Sequence, residues 1–213
     1  MATPVIQGFS LGPFATNCYV VAAPGGSACW VVDAGFEPDE MIDHIRETGL
    51  KPERLILTHA HIDHIAGVDE VRRAFPGLPV AIHAAEREWL HDPSLNLSAA
   101  YGLPITCHGP DEIMEDGQSL ALADTVWEVR HTPGHSPGSV TLVHAESRQA
   151  IVGDALFNGS IGRTDFPGCS FEELAESIRK RLYTLSPETR IFPGHGPPTT
   201  IGHEMRTNPF VRP

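Results

Sequence analysis

Apolar residues along this chain fall in short runs, bounded by glycine, proline and polar clusters. Runs of this kind, rich in Val, Ile and aromatic residues, predict strands. Strands are expected over 5–9 and 18–22, as an antiparallel pair across the turn-rich stretch from Gly12 to Asn17. Gly25-Gly26-Ser27 makes the next turn, and a third strand over 29–32 ends at Asp33-Ala34-Gly35. Met41, Ile42 and Ile45 give residues 39–48 the inner face of a helix, with Gly49 just past its end. Residues 55–57 read as a buried strand. Beyond them Ile65, Val68, Val71 and Phe75 recur at helical spacing until Pro76-Gly77 stops them. A strand over 79–83 and a helix over 84–90 follow, then a polar stretch, 91–118, that predicts no element. From Ser119 the pattern resumes with strands over 126–130, 140–143 and 150–152. A helix over 171–183 puts Phe171, Leu174, Ile178 and Leu182 on one face, and a last strand covers 190–192.

Most links between strands are too short for repeated crossover helices. The expected architecture is therefore two mixed sheets packed face to face with helices outside them. No linker interrupts the pattern, so residues 1–213 read as a single domain, a length that supports one substantial core. Charged residues make up 20% and no low-complexity tract occurs, which argues against disorder. A net charge of -12 would repel nucleic acid, whereas bound divalent cations would offset part of it. The four cysteines form no Cys-x-x-Cys pair and read as reduced packing thiols. The N-terminus shows neither a basic segment nor an apolar h-region, and no run approaches membrane-spanning length. The expectation is a soluble cytoplasmic protein with no membrane partner.

The densest chemistry lies in Thr58-His59-Ala60-His61-Ile62-Asp63-His64, between the predicted buried strand and a helix. His59 and His61 stand two apart, so in an extended segment both rings point to one side and can grip one metal ion. Asp63 and His64 follow the bend and can serve a second. Imidazole with carboxylate suits zinc, and also iron or manganese. Read without chemistry, Asp63 would be a helix N-cap and the histidines solvated turn residues. Three further candidates follow strand ends: His135 in Pro133-Gly134-His135-Ser136, Asp154 after Gly153, and His195 in Pro193-Gly194-His195-Gly196. Each alone is weak, because a lone His after a strand is more often structural. Beside the turn at 59–64 they carry weight.

With Asp33-Ala34-Gly35, Thr58 to His64, Gly134-His135-Ser136, Gly153-Asp154 and Gly194-His195-Gly196, the chain resembles the metallo-beta-lactamase-fold hydrolases over essentially its whole length. The resemblance implies an α/β (α+β) fold, a four-layer αββα sandwich of two mixed β-sheets with metals at one edge. It also implies two divalent metal ions, zinc first, with iron or manganese as alternatives. His59, His61 and His135 would bind one ion, and Asp63, His64 and His195 the other. Asp154 would bridge them, and Asp63 and Asp154 are the carboxylates counted as catalytic. Two such ions, about 3.5–4 Å apart, can hold a hydroxide between them. Asp33 matches an aspartate that supports a ligand in this family, though a plain turn aspartate is its simpler reading.

Within the family, Ser160 to Gly168, Pro193 to Thr200 and Asn208-Pro209-Phe210 look most like glyoxalase II-type thioesterases. These cleave S-lactoylglutathione or similar acylglutathiones, so the expected partner is a small-molecule thioester. Arg163 lies where such enzymes often place a lysine that binds a glutathione carboxylate, which an Arg fork can also do; a surface ion pair with Asp165 is the alternative. The C-terminal helical domain of longer members has no counterpart, which resembles the short bacterial form. One rival is the mononuclear-iron persulfide dioxygenase, which shares Gly162-Arg163-Thr164-Asp165-Phe166. It carries Pro-Ala-His-Asp-Tyr where this chain has Pro193-Gly194-His195-Gly196-Pro197. A beta-lactamase, whose commonest zinc form has Cys in place of Asp154, and a non-catalytic scaffold are further alternatives. His131 is a candidate support for His135. Tyr101 is a candidate pocket residue, although packing is its plainer role.

Overall fold

The computed structural model describes residues 3–213. The chain divides into two compact units. Among the described residues, the first comprises 3–114 with Leu122–Thr125, and the second Glu115–Ala121 with Val126–Pro213.

The first unit is built on a six-stranded sheet whose spatial order follows the chain. Its strands are β1 (Val5–Leu11), β2 (Thr16–Ala22), β3 (Ala28–Val32), β4 (Lys51–Ile56), β5 (Val80–His83) and β6 (Glu112–Met114). β1, β2 and β3 pair antiparallel, and from β3 to β6 the pairing is parallel. Parallel neighbours need crossovers, and helix α1 (Asp39–Glu47) supplies the first. Met41, Ile42 and Ile45 are buried as expected, and acidic Asp39 and Glu40 open the helix while His44 and Arg46 close it, as the helix dipole favours. The helix expected after His64 is in fact two, α2 (Ile62–Ile65) and α3 (Val68–Ala74). The break is at Gly67, where an added Cβ would stand 2.3 Å from the Gly35 carbonyl oxygen. That close crossing leaves no room for a side chain, and it pins the ligand turn to the end of β3. The stretch 91–118 holds a 3-10 turn, Ser98–Tyr101, and β6. The core gathers β-sheet residues such as Val20, Val31, Leu55 and Ile82 against Met41, Ile45 and Val71.

The second sheet also has six strands, and it contains β7 (Ser119–Leu122), β8 (Thr125–His131), β9 (Val140–His144), β10 (Gln149–Gly153), β13 (Arg190–Pro193) and β14 (Thr199–Thr200), in the order β14-β13-β10-β9-β8-β7. β10 and β13 are parallel neighbours. Between them lies a small hairpin of β11 (Leu156–Phe157) and β12 (Ser160–Ile161). The helix expected over 171–183 forms as α4 (Phe171–Ser177) running into a π-turn, Ile178–Leu182. Ser170 caps it by accepting from the Glu173 amide. Leu174, Ile178 and Leu182 are buried, but Phe171 is 41% exposed. As the first helical residue it projects beyond the face that the later turns bury. The hairpin, β14 and α5 (Ile201–Thr207) were not expected, being too short to show a periodicity. No helix among the described residues is long and apolar enough to cross a membrane.

Candidate metal centre

In the first unit the donors ride on the turn after β4. His59, His61 and His64 are buried. Their orientation traces to Asp33, a buried residue at positive φ (61°). Its Oδ1 accepts from the Thr58 amide at 2.7 Å, and its Oδ2 accepts from the Thr58 hydroxyl at 2.7 Å and from His64 Nδ1 at 2.8 Å. Thr58 has one hydroxyl proton, and Asp33 takes it. The Thr58 oxygen, 3.2 Å from His59 Nδ1, therefore accepts from that ring. One carboxylate thus sets two tautomers, presenting Nε2 of both His59 and His64 as lone-pair donors, the form a metal needs. The rings of His59 and His64 lie 4.1 Å apart, and those of His59 and His61 4.8 Å. Asp63 accepts from the Thr16 hydroxyl at 2.8 Å and lies 3.5 Å from His64 Nε2. The Ala60 amide donates to buried Glu86 at 2.6 Å, which locks the turn between the first two histidines.

In the second unit three donors come from separate strand ends. Gly153 and Pro193 are register partners in parallel β10 and β13, and the Gly194 amide donates to the Gly153 carbonyl at 2.8 Å. Asp154, one residue past Gly153, and His195, one past Gly194, therefore emerge side by side, with His195 Nε2 3.5 Å from Asp154 Oδ2. His135, from the loop between β8 and β9, also brings Nε2 to 3.5 Å from Asp154 Oδ2. Its Nδ1 donates to the Arg163 carbonyl at 2.8 Å, which again leaves Nε2 as the lone-pair nitrogen. Arg163 lies just past the β11–β12 hairpin. Gly162, between them, is packed so closely that a Cβ there would stand 1.9 Å from the Asp154 carbonyl and 2.9 Å from His135 Nδ1. The same loop is shaped by Gly134, where a Cβ would meet the Leu174 amide of α4 at 2.1 Å, and by His131, whose Nε2 donates to the Pro137 carbonyl at 2.8 Å. The exposed Arg163 guanidinium makes a two-pronged contact with Asp165, at 2.9 and 2.8 Å, and lies over the Phe166 ring. That fork holds the Asp165 carboxyl below its ordinary range.

Thr58, Thr16, Glu86 and Gly162 were not among the site residues expected from sequence. Thr58 sat inside the motif and could have been found by asking what its hydroxyl does. Glu86 and Gly162 carry no sequence signal of this role. Each unit thus gathers imidazole and carboxylate groups of its own, His59, His61, Asp63 and His64 in the first and His135, Asp154 and His195 in the second. These His/Asp groups are suited to two metal ions.

A family model described as the metallo-beta-lactamase superfamily matches residues 11–195. The chain belongs to that superfamily. Its two mixed sheets and flanking helices match the superfamily's α/β sandwich, as expected from the motifs. BLEG-1, described as a B3 metallo-beta-lactamase, is similar with a TM-score of 0.93 and 40% identity, covering 97% of this chain and 99% of that one. TTHA1623, solved in a di-iron-bound form, gives a TM-score of 0.86 at 39% identity, covering 96% and 100%. A Haemophilus influenzae relative named hydroxyacylglutathione hydrolase GloC is 36% identical over 93% of each chain. As a member of this superfamily the chain is a metal-dependent hydrolase.

Proposed function

We propose that the chain is a cytoplasmic glyoxalase II-type thioesterase, hydrolysing S-lactoylglutathione or a related acyl thioester, with both units working as a single domain. His59, His61 and His135 would hold one divalent ion and Asp63, His64 and His195 the other, with the Asp154 carboxylate as a further ligand. Zinc is the first choice of metal, and the di-iron form of TTHA1623 makes iron its main competitor. The observation that carries the reading is the likeness to hydroxyacylglutathione hydrolase GloC across nearly the whole length of both chains. The donor chemistry supports it, because the aligned Nε2 atoms and the carboxylates are the ligands divalent zinc or iron takes.

Such a metal pair supplies an activated water at neutral pH and a Lewis acid for the carbonyl oxygen. The chain's own residues do the positioning. Asp33 and Thr58 hold His64 and His59 with their lone pairs forward, and the Arg163 carbonyl does the same for His135. The Arg163 guanidinium offers a planar fork to a glutathione carboxylate, which exchanges with Asp165 for it. A thiolate, with a parent thiol pKa of about 8.5, departs without a dedicated acid. A second reading, beta-lactam hydrolysis, is favoured by the likeness to BLEG-1.

The test is metal analysis of the purified protein together with turnover of S-lactoylglutathione, a chromogenic cephalosporin and glutathione persulfide. Two metals per chain and faster thioester cleavage are expected. Faster cephalosporin cleavage would select the second reading, and one iron per chain with oxygen uptake would replace both.

A further inference from the structure

Three segments of the first unit, far apart in sequence, are each tied to the ligand turn by a hydrogen bond. The Thr16 hydroxyl donates to Asp63 at 2.8 Å, the Ala34 amide to the His64 carbonyl at 2.9 Å, and the Ile62 amide to the Asn96 carbonyl at 2.9 Å. Each segment carries an aromatic residue a few positions from its tie: Phe14, Phe36 and Tyr101. These three meet. Phe14 stacks on Phe36 with centroids 5.8 Å apart, and Tyr101 meets Phe14 edge-on at 5.3 Å. The cluster is built rather than incidental. Gly12, at φ +60°, lets the first segment turn so closely that a Cβ would stand 2.4 Å from the Phe36 Cβ. Buried Asn96 holds the third segment through bonds from its Nδ2 to the Trp89 and Ile105 carbonyls at 2.9 and 3.0 Å. Yet the cluster is not core. Tyr101 is 46% exposed and neighbouring Leu103 49%, an unusual outlay of apolar surface on a chain of net charge -12.

We infer that Phe14, Phe36 and Tyr101 form a wall that receives the acyl side chain of the substrate, and that the enzyme selects thioesters with an aryl or bulky apolar acyl group over lactoyl. This rests on the thioesterase reading above. The physical basis is that rings held rigidly beside the ligand turn bury an apolar substituent at little ordering cost, whereas the methyl of lactoyl covers little of them.

The experiment compares kcat/KM for S-mandeloylglutathione, an aryl hydroxyacyl thioester, with that for S-lactoylglutathione. It uses the wild type, Phe14→Ala, Tyr101→Ala and the conservative Tyr101→Phe. Mandelate and lactate binding are read separately by ligand-observed NMR. Wild type should prefer mandeloyl. Each alanine variant should reduce that preference roughly tenfold, and Tyr101→Phe should keep it. Equal losses on both thioesters, or no wild-type preference, would overturn the inference. So would a dimer in sedimentation that Tyr101→Ala disperses while the preference stays. If neither thioester is cleaved, the thioesterase reading fails by itself. In that case mandelate binding that Tyr101→Ala weakens upholds the aromatic wall, and mandelate binding no tighter than lactate overturns it.

Discussion

In the first unit four candidate donors lie between positions 59 and 64, whereas the second unit draws its three candidates from positions 135, 154 and 195. The first solution is local: a strand end and a short helix present the donors, and one buried carboxylate sets two of their tautomers. The second is topological. Asp154 and His195 adjoin only because β10 and β13 are parallel neighbours in register, and His135 joins them through a loop held by the Arg163 carbonyl. The lesson is that donor geometry is robust for different reasons in the two units. Hydrogen bonds to Asp33 guard the first, and steric fit around Gly134 and Gly162 guards the second.

The largest expected effect comes from removing a local donor. His59→Ala should abolish turnover and cut the metal content while circular dichroism stays native, and retained turnover would break the metal-centred account. Next come the two guards. Asp33→Asn turns an acceptor into a donor facing Thr58 and His64, and should weaken metal binding about 10–100-fold in a chelator competition. Gly162→Ala should act first on stability, costing about 1–3 kcal/mol in denaturant titration, because the new methyl must displace backbone. If the two variants exchanged these signatures, the contrast between the units would be wrong.

The smallest effect separates scaffold from site. His144 is a buried imidazole in β9 that belongs to neither donor set, and burial lowers its pKa below the ordinary 6.5. Its folded form therefore binds protons less readily than its unfolded form. The stability it permits is full above pH 6.5 and falls away as pH drops through the folded pKa. His144→Gln, which keeps all seven candidate donors, should flatten the acid side of the stability profile below pH 6.5. An unchanged profile would assign the acid sensitivity to other groups.

Much of this was legible before any coordinates. The strands around residues 29–32, 55–57 and 150–152 show as apolar runs because buried strands must be apolar, and the helix at 39–48 shows because one of its faces must be. The donor turn at 59–64 is legible because its residues are contiguous. The hairpin at 156–161, β14 and α5 were not, since two-residue strands and a two-turn helix carry no measurable period.

The chain by itself thus marked the candidate metal ligands and the longer strands and helices, because both follow from residue type and local spacing. Only the tertiary structure decided how the donors are aimed. Asp33 reaches Thr58 and His64, Glu86 reaches Ala60, and Gly162 meets Asp154 and His135 through sheet pairing and close backbone crossings. Apart from Gly162 and Asp154, those partners lie more than twenty residues apart, and no local periodicity encodes a contact that exists only once the strands have found their neighbours.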